Sequence, residues 1–426
     1  MARFAVALIA AAAALSLAPA ASGACTRWAS AHGSDRDAGT AARPFRTVHR
    51  LLARLPNGGT GCLAGGSTFR EHVTILRPAT LQSGSGRATI VGGIAIAANV
   101  AHVTVRNLVV QGAGGGRAAI VVRADGARIA GTDVSGPGFV DRNTACILLE
   151  GPRGAIVDAN RVHNCTRATR RDLYAPGIFV TSALRTKITH NVVYHTLGDG
   201  IALAPNAQHS RVQRNLVDGN VSGIYIGGNR RTASSYNVVT RNIVSNSGRW
   251  NVHSAWAGVV GHGNIVASNC IWNGFGGNFA GGGFAKVGNV FASPRIRDRP
   301  RDFTLLGGPC ASMHPRIVPI RAAVLPRFTV TYRLRALPAR VQVVSLTLTG
   351  LRGGSAVSVR CTSRCGARWS GRASGSTLAL PVLRGSWLPR GAVVEVRESR
   401  KGAIGHVARI VVVGLPGGVR IEHEAR

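Results

Sequence analysis

The stretch NVVYHTLGDGIAL (191–203) sets Tyr194, His195 and Asp199 within a few residues of one another, beside Gly198 and Gly200. A carboxylate, an imidazole and a phenol are the groups that move protons at neutral pH. A second chemistry-bearing stretch, TRATRRDLYAP (166–176), carries Arg167, Arg170, Arg171, Asp172 and Tyr174. Arg230 and Arg231 follow Tyr225, and Arg249 lies just before His253. Guanidinium groups pair bidentately with carboxylates. Arginines beside potential bases therefore suit proton transfer next to a bound carboxylate. The alternative, a carboxylate pair for hydrolysis, has only Asp172 and Asp199 to draw on.

Whether these residues can meet depends on the elements that carry them. One pattern recurs: aliphatic, two residues, Asn, one residue, aliphatic. It appears as Val157-Asn160-Val162, Ile188-Asn191-Val193, Val212-Asn215-Val217, Val239-Asn242-Val244 and Val266-Asn269-Ile271. A second element, small-aliphatic-x-aliphatic, reads Gly177–Val180, Gly200–Leu203 and Gly223–Ile226, with Cys146–Leu149 as an earlier copy. Alternation inside each element has the period of a strand. Short strands separated by Gly and Asn at a fixed period predict a parallel β-solenoid with coils about 4.8 Å apart. Asparagine suits the turns and can stack its amide along the ladder.

With the strands in place, residues at equal offsets should stack. The outward position collects Leu148, Phe179, Ala202 and Tyr225, with His253 as the next member if WNVHS (250–254) is the following copy. Asp199 is then expected two coils, about 10 Å, from the level of His253. Tyr194 shares its offset with His163, Asp218, Ser245 and Trp272. That variety predicts an exposed, unconstrained position. His195 matches Asn164, Gly219, Asn246 and Asn273 and reads as a turn residue.

The repeats and the entry segment GSDRDAGTAARPFRTVHRLLARLPNGGTGCLAGGSTFRE (33–71) resemble the right-handed parallel β-helix of the pectate lyase-like superfamily. Its GSD…GT…PF…T pattern leads to a short helix before the first coil. Here Val48, Leu51, Leu52 and Leu55 form one apolar face of such a helix, which would cap the open end of the solenoid core. The resemblance implies the fold far more than the chemistry. GHG (261–263) is similar to a polygalacturonase signature but lacks that family's Asp-Asp pair, and so reads as turn glycines. The calcium site of the pectate lyase kind wants clustered carboxylates, and the acids here are scattered.

The expected organisation is all-β. Residues 1–24 read as a signal peptide, 25–69 as the entry segment with its capping helix, and 70–310 as the right-handed parallel β-helix. PRIRDRPRDFTLLGGPC (294–310) should close the last coil. Residues 311–327 read as a linker, and 328–426 as a small β-sandwich-like domain. The eight cysteines of an exported chain suggest disulfides. Proximity pairs Cys25 with Cys62, Cys146 with Cys165, Cys270 with Cys310, and Cys361 with Cys365.

The net charge is +35 and lysine occurs only at 187, 286 and 401. A basic surface of this kind attracts polyanions. Outside the cell these are acidic polysaccharides or envelope polymers, with no specific nucleic acid partner expected. A secreted monomer is expected, without membrane span, cofactor or metal. The candidate catalytic residues are Asp199, His253, Asp172 and Tyr174. The candidate substrate-binding residues are Arg170, Arg171, Phe179, Tyr225, Arg230 and Arg249. Together they suit a protein that binds, and as a lyase would cleave, an acidic polysaccharide. A binding protein without catalysis and a structural solenoid are the competing readings.

Overall fold

The computed structural model describes residues 25–112, 118–136, 144–165, 175–254 and 261–313, and most of 323–425 apart from short breaks. Three long parallel sheets make up the first part: one of eleven strands and two of nine. Each coil contributes one strand to each sheet in turn. In one coil these are Lys187–Thr189 in the first sheet, Val192–Tyr194 in the second and Asp199–Leu203 in the third. This is the right-handed parallel β-helix that the repeats predict. The first sheet begins earlier than expected, with Arg27–Ala29 and Thr60–Leu63, inside the segment read as an entry.

The core is a set of aliphatic columns. Ile120, Ile147, Ile178, Ile201, Ile224 and Val252 form one of them, every member fully buried. β-Branched side chains fill such pleated surfaces well. The small residue before each third-sheet aliphatic has a steric cause. A Cβ on Gly200 would lie 2.3 Å from Val217 Cγ1, and one on Gly223 would lie 2.4 Å from Val244 Cγ1.

Asparagines hold the corners between the first two sheets. Nδ2 of Asn160, Asn191, Asn215, Asn242 and Asn269 each donates to Oδ1 of the next, ending on Asn289, at 2.9–3.0 Å. Each Oδ1 also accepts the backbone N–H of the preceding rung, as Asn215 does from Asn191 at 2.9 Å. Asn289 was not visible in the repeat because its coil is short. A second run, Asn237 to Asn264, serves the corner between third and first sheets. The residue before each rung turns the chain with a left-handed backbone: φ is 56° at His190 and 55° at Arg214.

The predicted helix forms over Val48–Arg54, capped by the Thr47 side chain, and buries Val48, Leu51 and Leu52. The motif residues explain its placement. The Asp35 carboxylate accepts N–H bonds from Arg46 and Thr47, and that of Glu71 accepts from Val48 and His49, all at 2.9–3.0 Å. All four adjacent cysteine pairs are joined. Among the described residues no helix is long and apolar enough to cross a membrane.

Residues 294–310 depart from expectation. They do not close the last coil. Ile296–Asp298 and Asp302–Leu305 form an antiparallel hairpin, and it lies across the outer face of the second sheet. Phe303, Cys310 and Met313 pack with Val192, Tyr194, Leu216 and Ile243. Tyr194 is therefore 3% exposed, not free in solvent. Its ring stacks on His163 at 5.0 Å and touches Phe303 at 5.0 Å. Its hydroxyl accepts from Arg161, which also donates to the carbonyl of Pro300. Arg299 pairs with Asp218 at 3.1 Å. His195 does occupy the turn position, with φ 52°.

Beyond the solenoid, Ala323–Val324 lie inside the stretch read as linker but pair with Ala403–Ile404. Two antiparallel sheets follow, of four and five strands. Their inward residues, including Val341, Leu348, Val359, Val396 and Ile410, share one core. This is the sandwich predicted from the turn-separated runs.

Two consequences are measurable. Asn215→Leu strands the backbone and side-chain donors of Asn191 and removes the side-chain donor to the carbonyl of Ile188 in the previous coil. Each buried orphan costs about 1–3 kcal/mol, so we expect a loss of about 3 kcal/mol or more in urea unfolding; a loss below about 0.5 kcal/mol would show the ladder to be ornamental. The second consequence concerns pH. Burial, opposed by the Arg161 charge, pushes the Tyr194 phenol up to about 12. The group is raised, so its stabilisation is complete below the ordinary value near 10 and is lost as pH rises from about 10 to about 12. Burial raises Asp133, but the His163 imidazole, its hydrogen bond, and Arg161 and Arg87 outweigh that and hold the carboxyl low. Its contribution is lost only as pH falls below the usual carboxylate range. Thermal melts of Tyr194→Phe against the parent should lose the alkaline step and keep the acid one.

Candidate functional site

The outer face of the third sheet brings the predicted column together. The register runs Leu148, Phe179, Ala202, Tyr225, His253 and Ala280 on successive coils. His253 thus takes the place that the tentative alignment gave it. Asp199 begins its strand opposite Ser222.

The expected gap of about 10 Å between Asp199 and His253 is closed by their side chains. His253 Nε2 donates to Asp199 Oδ1 at 2.7 Å. The Tyr225 and His253 rings stack with centroids 4.9 Å apart, and Trp250 flanks the imidazole at 5.4 Å. The pair is consequently buried, with His253 7% and Asp199 2% exposed. The outward offset predicts acid–base groups at the surface of the sheet; the aromatic flanks bury them instead. Trp250 was not singled out. Its signal is its position, three residues before His253 in a strand whose start bends.

The protonation pattern follows from the contact. An ionised carboxylate only accepts, so Nε2 carries the proton. In the neutral ring Nδ1 then holds the lone pair. That Nδ1 is buried and lacks a hydrogen-bond partner. Buried polar atoms without partners are rare in native proteins, and each calls for an explanation. His163 repeats the arrangement on the second sheet, with Nε2 2.8 Å from Asp133 Oδ1 and an unpartnered Nδ1.

Beside the Asp199–His253 pair, Phe179, Ala204, Pro205, Tyr225, Gly228, Asn229 and Thr232 line a recess of about 250 Å³. Gly227 allows it to form, because a Cβ there would lie 2.2 Å from the Tyr225 hydroxyl. Arg230 is exposed beside the recess wall, and Arg249 is exposed beside Trp250. Arg170, Arg171, Asp172 and Tyr174 lie outside the described residues. Among the described residues there is no group of three or more His, Cys, Asp or Glu side chains placed to hold a metal ion.

Residues 92–289 match the family model described as right handed beta helix region. Among solved structures the chain is similar to pectate lyase Pel9A, with 13% identity over 65% of this chain and 80% of that one and a TM-score of 0.45. It is similar to XylC in its complex with xylose, with 10% identity, 93% and 99% coverage and a TM-score of 0.46. It is also similar to the periplasmic alginate epimerase AlgG, with 11% identity, 58% and 83% coverage and a TM-score of 0.34. No curated protein matches the chain. Likenesses this distant concern the path of the backbone and not its chemistry. Coil by coil, through its three parallel sheets, the chain folds as a right-handed parallel β-helix, and residues 92–289 carry the match to that family model.

Proposed function

We propose that this is an exported carbohydrate-active protein that binds an acidic polysaccharide along the third sheet and cleaves it by β-elimination. The observation that carries the reading is the His253 imidazole, oriented by Asp199 through Nε2 and left with an unpartnered Nδ1. A carboxylate that fixes the tautomer and stabilises the imidazolium is what a histidine base needs. In the proposed step, Nδ1 takes the proton α to the uronate carboxylate. The C–H electrons form the new C=C bond, and the glycosidic C–O bond breaks. The departing oxygen takes a proton from the imidazolium or water.

Phe179 and Tyr225 supply apolar faces for sugar rings. Arg230 and Arg249, with Arg170 and Arg171 from the insertion before Phe179, would neutralise the carboxylate so that its α-proton becomes acidic. Asp172 and Tyr174 belong to that insertion and are the proposed reserve acid–base groups. Four disulfides support an oxidising, extracellular setting. The burial of the Asp199–His253 pair favours a second reading, in which the same face binds and does not cleave.

The two readings separate in one experiment. Purified protein is incubated with a panel of polyuronates while the absorbance of the unsaturated product is followed, and binding is measured by affinity electrophoresis. We expect product, with His253→Ala and Asp199→Asn slowing its formation about 100-fold or more at unchanged affinity. Tyr225→Ala should weaken binding about tenfold. Binding without product would leave the non-catalytic reading; neither binding nor product would remove both.

A further inference from the structure

The recess beside Tyr225 differs in chemistry from the charged surface around it. Phe179, Ala204, Pro205, Tyr225 and Gly228 make most of its wall, and among the described residues no charged side chain lines it. The wall residues that carry polar side-chain groups are Tyr225, through its hydroxyl, Asn229 and Thr232. The Asn229 carboxamide oxygen is already taken by the N–H groups of Arg231 and Thr232, at 2.9 and 3.0 Å. A uronate carboxylate placed here would lose water and gain no cation from the described lining, which is costly. The cations stand outside, at Arg230 and Arg249.

The size is also selective. At about 250 Å³ the recess falls below the roughly 300–1,000 Å³ of sites that enclose drug-sized ligands. It suits one sugar ring or its substituent, not a stretch of polymer. The column supplies a repeat as well. Phe179 and Tyr225 are two coils apart with Ala202 between them. Aromatic platforms about 9.6 Å apart leave a gap between them over the small residue.

We infer that the recess is a subsite for an uncharged, methyl-bearing substituent of the polysaccharide, an O-acetyl, N-acetyl or 6-deoxy group, while the neighbouring uronate lies over the arginines. This rests on the polysaccharide-binding reading and narrows it to polymers in which acidic units carry or alternate with such groups. Gly228 is part of the subsite. A Cβ on Gly228 would meet the carbonyl oxygen of Thr232 at 2.2 Å, so the wall closes only with glycine there.

The test uses the full chain and an acetylated polyuronate, compared with the same sample after mild alkaline deacetylation. Affinity is measured for both by calorimetry or affinity electrophoresis. We expect the acetylated polymer to bind about tenfold more tightly, the size of effect an apolar pocket gives for one extra small group. Thr232→Phe, which adds bulk to a wall residue of the recess, should abolish that preference. Equal affinity of the parent protein for both polymers would overturn the subsite and leave polysaccharide binding standing. A preference that survives in Thr232→Phe would likewise overturn it, because the substituent would then be read elsewhere. Failure to bind either polymer would overturn the underlying reading and the subsite with it.

Discussion

Stacking coils in register leaves each tight corner with backbone donors and acceptors that no strand partner reaches. The asparagine side chain answers this constraint because it offers both a donor and an acceptor on a short arm. From Asn160 to Asn289, each amide takes the N–H of one coil and donates to a carbonyl of the coil before it. Buried polar groups of this kind must be paired or they destabilise the fold. The ladder therefore fixes where one coil sits on the next, and so fixes which residues share a column. The meeting of Phe179, Tyr225 and His253 on one face follows from that register, as do the aliphatic columns of the core.

What was legible in the sequence follows from periodicity. The asparagine offsets, the inward aliphatics, the outward column and the helix at 48–54 all depend on residues near one another in the chain or at a repeated spacing. The hairpin at 296–305 depends on neither. Its contact with Arg161 is made across 139 residues, and nothing in RIRDRPRDF announces a partner. Tyr194 was misread for the same reason: variety at its offset looked like freedom, whereas a distant segment covers it. The joining of Asp199 to His253 was half visible. The column could be read, but the meeting of two side chains across two coils could not.

The two aspartate–histidine pairs show how setting separates similar chemistry. Asp133 and His163 sit among Arg87, Arg161 and Tyr194, and Arg161 and Tyr194 in turn meet the hairpin at Pro300 and Phe303. Asp199 and His253 lie on the sheet that no described segment of the chain crosses, next to an apolar recess and between two aromatic rings. A motif search would score the pairs alike. Only the covered second sheet against the aromatic third sheet distinguishes a fastening from a candidate for proton transfer.

The hairpin carries a further consequence through its disulfide. A solenoid is quasi-one-dimensional, and each coil ordinarily depends only on its neighbours. Such a molecule frays from its ends. Cys270–Cys310 ties the hairpin to one of the last coils, while Phe303 and Met313 rest on residues as far back as Val192. The final coils are thereby coupled sideways as well as in sequence. At the opposite end Cys25–Cys62 and the helix perform the same service. Peeling from either end then requires several coils to let go at once, which turns a stack that would unravel stepwise into one cooperative body that resists local opening.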